Sequence, residues 1–195
     1  QAISELQNGD TIAFNIPGTG PHIIVTPLGG YPLITASDVT IDGYTQPGSK
    51  PNDNGILGGN NAVIQIVLDS TLDDWAESPN PETPELYLRR STRLDFSGYG
   101  TSENGILGVV GGDNFKVRGL SFIARHTEGS DSDPSIYAIA LVQEAKNAKV
   151  QGCWFGLAPG DDPVQDNIRP CSSAVAAFRY RTGGDVYSGG LVVGT

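Results

Sequence analysis

Asn114-Phe-Lys-Val-Arg-Gly-Leu120 sets one apolar side chain, a second two residues on, and a glycine two residues after that. Asp38-Val-Thr-Ile-Asp-Gly-Tyr44, Arg93-Leu-Asp-Phe-Ser-Gly-Tyr99 and Asn147-Ala-Lys-Val-Gln-Gly-Cys153 read the same way. Alternation at period two puts Val39/Ile41, Leu94/Phe96, Phe115/Val117 and Ala148/Val150 on one face of a strand. Thr40, Asp95, Lys116 and Lys149 then face the other way. Gly43, Gly98, Gly119 and Gly152 permit a sharp bend at each strand end. They lie 55, 21 and 33 residues apart. Ala62–Leu68 and Tyr137–Val142 read as further strands, and Asn54-Gly-Ile-Leu-Gly58 recurs as Asn104-Gly-Ile-Leu-Gly108, which points to repetition independently.

Units of roughly 20–33 residues suggest stacked repeats, each burying its apolar side against its neighbours. Helical repeats are excluded, because 26 Gly and 13 Pro leave almost no uninterrupted helical window. The expected fold is therefore all-β: a right-handed parallel β-helix, a solenoid whose coils stack at about 4.8 Å. A β-sandwich is the alternative, since short strands with Gly/Pro turns also describe it. Ala2–Leu6 is the one amphipathic turn and is placed as a short N-terminal capping helix or turn. The chain reads as a single domain over 1–195, with polar, Pro-rich 70–85 as a projecting loop. Gly190–Thr195 stops in a strand-like run and Met is absent, so the expectation is the N-terminal part of a longer chain.

With 22 acidic against 12 basic residues, the net charge of −10 argues against nucleic acid and anionic membranes as partners. No apolar run approaches the roughly 20 residues of a membrane span. Cys153 and Cys171 lie 18 residues apart, which allows either a disulfide staple or two independent thiols.

Asp10-Thr-Ile-Ala-Phe-Asn-Ile-Pro-Gly-Thr-Gly-Pro-His-Ile-Ile24, Pro32-Leu-Ile-Thr35 and Val39-Thr-Ile-Asp-Gly-Tyr-Thr-Gln-Pro-Gly48 resemble the opening of large secreted bacterial right-handed β-helix repeat proteins. Val150-Gln-Gly-Cys-Trp-Phe-Gly-Leu-Ala-Pro-Gly160 and Gly189-Gly-Leu-Val-Val-Gly-Thr195 are similar to that family's later repeats. The resemblance covers both ends well and the middle loosely. It implies a pectin-lyase-like fold, secretion to the cell surface and adhesive or anchoring modules. It implies no single activity, because such folds host lyases, hydrolases, adhesins and scaffolds. Cys153 and Trp154 depart from the polar residues usual in that family's turn.

Lyases on that fold pair a calcium-holding carboxylate cluster with an Arg or Lys base. Asp161, Asp162 and Asp166, with Arg169, Arg179 and Arg181, are the matching residues, and a solvated acidic turn before a strand is the plainer reading. Hydrolases need carboxylates facing each other across a groove. Asp73-Asp74 beside Trp75, whose indole suits a sugar ring, comes nearest. Asp131/Asp133 or Asp161/Asp162 would be the sites if Ca²⁺ binds, with turn carbonyls completing its oxygen shell. His22 and His126 read as surface or turn residues. No catalytic residue is assigned, and no cofactor beyond that calcium. The expected function is an extracellular structural or adhesive surface module with glycan contact, its partners a glycan or cell-envelope component, the remainder of a longer chain, or a second copy meeting the C-terminal coil. The alternative is a fragment of a polysaccharide lyase or glycoside hydrolase.

Overall fold

The computed structural model describes residues 1–55, 57–71, 74–77, 86–90, 94–95, 104–124, 136–143, 145–161, 173–177 and 192–194. The strands run β1 (Thr11–Ala13), β2 (His22–Val25), β3 (Thr40–Asp42), β4 (Ile66–Ser70), β5 (Asp74–Glu77), β6 (Leu86–Arg90), β7 (Leu94–Asp95) and β8 (Asn104–Val110). After them come β9 (Lys116–Arg118), β10 (Leu120–Ala124), β11 (Ile136–Val142), β12 (Lys149–Gln151), β13 (Trp154–Phe155), β14 (Ser173–Ala177) and β15 (Val192–Gly194). Sheet A has the order β1-β3-β9-β12-β15, sheet B β13-β10-β4-β2 and sheet C β14-β11-β8-β7, while β5 and β6 form a separate ribbon.

The expected single right-handed solenoid is corrected by this topology. The described strands make three separate open sheets, and no strand pairing closes one sheet onto another. A uniform coil would visit the same faces on every turn, whereas β1 to β4 alternate between sheets A and B alone. In that stretch sheet C is met only by an isolated parallel bridge of Ile34 to Val109. The β5–β6 and β7–β8 pairs are antiparallel. The antiparallel layers of a sandwich are not formed either, because the pairs that build sheets A and B are parallel throughout.

Three of the four quoted units do stack. Thr40, Lys116 and Lys149 lie side by side across β3, β9 and β12, as do Ile41, Val117 and Val150. The inward members Val39, Ile41, Phe115, Val117, Ala148 and Val150 are all buried. The fourth unit belongs elsewhere, since Leu94 and Asp95 pair antiparallel with Gly105 and Asn104. The repeated pentapeptide likewise has two fates. Asn104–Gly108 lies within β8, with Ile106 and Leu107 buried. In Asn54–Gly58 the Leu57 side chain is fully exposed, and Asn54 Nδ2 donates to the Gly58 and Gly59 carbonyls at 2.8 and 3.2 Å. Flanking residues decide the outcome: Val109 and Val110 extend a pairable strand, whereas Asn60 and Asn61 offer side chains that favour turns.

One core draws on all three sheets. Ile41, Val117 and Val150 come from sheet A, Ile66, Leu68, Leu120 and Phe122 from sheet B, and Leu107, Val109, Ile139 and Leu141 from sheet C. At the N-terminus Ile3–Glu5 is a single 3₁₀ turn, with Ile3 and Leu6 packed partly buried against this core. The polar excursion at 70–85 contains β5, which pairs with β6.

Candidate functional site

Sheet A is entered through a corner where Asp38, Asn114 and Asn147 all have positive φ, at 60°, 57° and 57°. Among residues with a Cβ, Asn and Asp tolerate this left-handed conformation best, because their short side chains bond locally. Here those side chains form a ladder: Asn114 Nδ2 donates to Asp38 Oδ1 at 2.9 Å, and Asn147 Nδ2 to Asn114 Oδ1 at 3.3 Å. The backbone repeats the arrangement, with Asp38 N donating to Asp113 O and Asn114 N to Lys146 O, each at 2.8 Å.

At the other end of sheet A the chain turns at Gly43, Gly119 and Gly152. The Tyr44 ring lies over Gly119 and reaches the next strand, where its hydroxyl donates to the Gly152 carbonyl at 3.1 Å. Asp42 is 5% exposed; its carboxylate accepts from Tyr44 N at 3.1 Å and from Arg118 Nη2 at 2.6 Å. Burial pushes the Tyr44 phenol above its usual range, with Cys153 and Asp42 adding to the rise and Arg118 opposing it.

Cys153 lies in the same corner with a free thiol, so of the two alternatives open for the cysteines it takes the unbridged one. Cys171 lies outside the described residues. Burial pushes the Cys153 thiol up to about 11 from an ordinary 9.0, against the lowering effect of its contacts with the Leu120, Gly119 and Gln151 backbone. The folded chain thus keeps a proton that the unfolded chain releases earlier. Its contribution is fully present below about pH 9 and is lost as pH rises through about 11, a span worth about 2–3 kcal/mol. Urea unfolding from pH 8 to 11 is expected to show that decline, and Cys153→Ala to flatten it. An equal slope in the variant would assign the decline to other groups.

The outward face of sheet A carries two rows. Thr11, Thr40, Lys116 and Lys149 are in register, and beside them Ala13, Asp42, Arg118 and Gln151. Lys116, Lys149, Arg118 and Gln151 are exposed. Arg118 is paired with Asp42, while neither lysine has an ion-pair partner among the described residues. Two like charges opposite each other on neighbouring strands oppose sheet formation. These two exposed lysines face out from adjacent strands of a chain whose net charge is −10.

Of the residues singled out from sequence, the described ones Asp161, Asp74, Trp75 and His22 lie outside sheet A. Asp161 closes a turn, its carboxylate accepting from Ala158 N at 2.7 Å. The backbones of Asp74 and Trp75 lie in β5, opposite Arg90 and Leu88. Asp73, Asp131, Asp133, Asp162, Asp166, Arg169, Arg179, Arg181 and His126 lie outside the described residues. His22 is half-buried in β2. Gln46 binds Ile16 through both amide atoms, at 2.8 and 2.9 Å, and Gln46 Nε2 also lies 3.1 Å from His22 Nε2. Among the described residues no three His, Cys, Asp or Glu side chains converge as a metal site. No described helix is long and apolar enough to cross a membrane.

Sequence reasoning turned Lys116 and Lys149 outward without identifying them as a site. Aligning the units on their glycines puts both at the same position, and that was the available signal. Comparison of the chain with protein-family models, with curated proteins and with solved structures yields no match.

Proposed function

We propose that this chain is an extracellular structural and adhesive surface module that contacts glycan through the outward face of sheet A. One observation carries the reading: side chains at the ends of sheet A are spent tying one strand to the next. Asn114 binds Asp38, Asn147 binds Asn114, Tyr44 binds Gly152 and Arg118 binds Asp42. Such cross-strand ties make a stiff platform, and a stiff platform presents outward groups at fixed spacing with little ordering cost on binding. Thr40, Lys116, Lys149 and Gln151 supply hydroxyl, ammonium and amide groups that suit sugar hydroxyls and acidic substituents. The likeness of Asp10–Gly48 to secreted bacterial repeat proteins supports an extracellular setting.

A glycan array of neutral and acidic sugars, with a pull-down against cell-envelope material, tests the reading. Retention of at least one glycan class, reduced by substitutions on sheet A, is the expected result. Silence in both assays overturns the adhesive role.

A further inference from the structure

We propose that the free edge of β2 is where two copies of this chain join, strand to strand and antiparallel, about a twofold axis at Ile24. The surface belongs to sheet B, not sheet A, so the inference stands independently of glycan contact.

β2 is the last strand of sheet B, with β4 on one side and no described strand on the other. His22 N and Thr26 N donate to the Gln65 and Asp69 carbonyls at 2.7 and 2.8 Å, so the even-numbered residues face β4. A strand residue sends its N–H and C=O to the same side, and successive residues alternate. The backbone groups of Ile23 and Val25 therefore point out from the sheet edge, where nothing among the described residues bonds them. Their side chains are 57% and 48% exposed, and Leu28 just beyond is 60% exposed. An open edge with apolar side chains beside it is a template for another strand.

The sequence along the edge selects which strand. Pro21-His-Ile-Ile-Val-Thr-Pro27 is nearly symmetric about Ile24, with a β-branched apolar residue next to it and a proline three residues away on each side. Placing Ile24 opposite its own copy sets Ile23 opposite Val25 of the second copy, and Val25 opposite Ile23. Each such pair exchanges two N–H···O=C bonds, so every open backbone group of Ile23 and Val25 is used. Pro21 falls opposite Pro27, where neither strand has a donor to leave unpaired. A twofold contact requires this property, that a patch be its own complement. A longer foreign strand gains little more, because the prolines end the row of donors on both sides.

Charge points the same way. A net charge of −10 sets copies of the chain against each other, yet no Asp, Glu, Lys or Arg occurs between Asp10 and Asp38. Edges that are kept apart carry such charges, lysine above all. On the strand beside β2, Asp69 is in register with Val25. Across the joint the two copies of Asp69 stand at least three strand spacings apart, about 14 Å, beyond the roughly 8 Å reach of a charge at physiological ionic strength.

Sedimentation equilibrium of the intact chain over a concentration series, at physiological salt, tests the joint. The mass is expected to rise from 20.5 kDa toward twice that value and no further. Ile23→Lys/Val25→Lys is expected to weaken association at least about tenfold, because four ammonium groups then crowd one face of the joint. Both side chains are already exposed, so the urea midpoint of that variant should move little. Oxidative crosslinking reads the register. Ile24→Cys is expected to give a reducible dimer, since residues opposed at such a non-bonded position lie about 4.5 Å apart, within disulfide reach. Ile23→Cys is expected to give none above the parent chain, its two copies being diagonal and about 7–8 Å apart. A strict monomer up to about 1 mM overturns the proposal. Masses that climb past the dimer, association unchanged in the double lysine variant, or a crosslink at Ile24 no stronger than at Ile23 overturn it as well.

Discussion

Gly119→Ala is expected to destabilise the chain by about 3 kcal/mol, although it adds a single methyl group. Gly119 has φ +66°, where a residue with a Cβ pays about 1–2 kcal/mol. The added carbon would also lie 2.7 Å from Tyr44 Cγ and 2.8 Å from both Cδ atoms, well inside van der Waals contact. The ring cannot yield without cost, because its hydroxyl is bonded to the Gly152 carbonyl and its backbone N–H to Asp42. Swinging it outward gives up a hydrogen bond worth about 1 kcal/mol and uncovers the corner. Urea unfolding of Gly119→Ala, Tyr44→Ala and the double variant measures the effect. In the Tyr44→Ala background the penalty should shrink to the backbone cost alone, a coupling of about 1–2 kcal/mol. A Gly119→Ala loss of the same size with and without Tyr44 would show that the ring does not rest on Gly119.

Phe122→Ala carries the other large expected loss, about 3–5 kcal/mol, from a cavity in the middle of sheet B. Phe122 is completely buried in β10, between β4 and β13. Its ring stacks on Phe155 with centroids 5.4 Å apart and planes 12° from parallel. Truncation removes the ring from the shared core and deprives Phe155 of its partner. The urea midpoint should fall sharply, with Phe122→Leu recovering more than half of the loss because most of the volume returns. A loss below about 1 kcal/mol in Phe122→Ala would mean the core closes over the gap, contrary to a packed interior.

Strand identity was legible where alternation ended in glycine. Val39/Ile41, Phe115/Val117 and Ala148/Val150 point inward because apolar residues two apart share a face, and that rule is local. Partnership is not local. Leu94 follows the same pattern, yet β7 runs antiparallel to β8, since direction depends on where the intervening chain returns. Asn54–Gly58 and Asn104–Gly108 make the same point with identical residues, one a turn and one a strand. The single-solenoid expectation failed for this reason: repeated strand patterns do not specify how many sheets share them. At the site, Lys116 and Lys149 were readable as outward but not as neighbours. Of the acidic residues that stood out in sequence, Asp161 caps its own turn, while Asp73, Asp131, Asp133, Asp162 and Asp166 lie outside the described residues.

The gap between β3 and β9 sets a timetable for biosynthesis. Thr40 has its partner on that side in Lys116, 76 residues later. At roughly 5–20 residues per second, a ribosome needs roughly 4–15 s to deliver it. Through that interval Ile41 and its neighbours on the nascent chain have only β1 beside them, leaving one strand edge and an apolar face open to whatever they meet. Slowing translation between residues 45 and 115 should therefore raise misassembly more than an equal pause near residue 190, when β9 has left the ribosome.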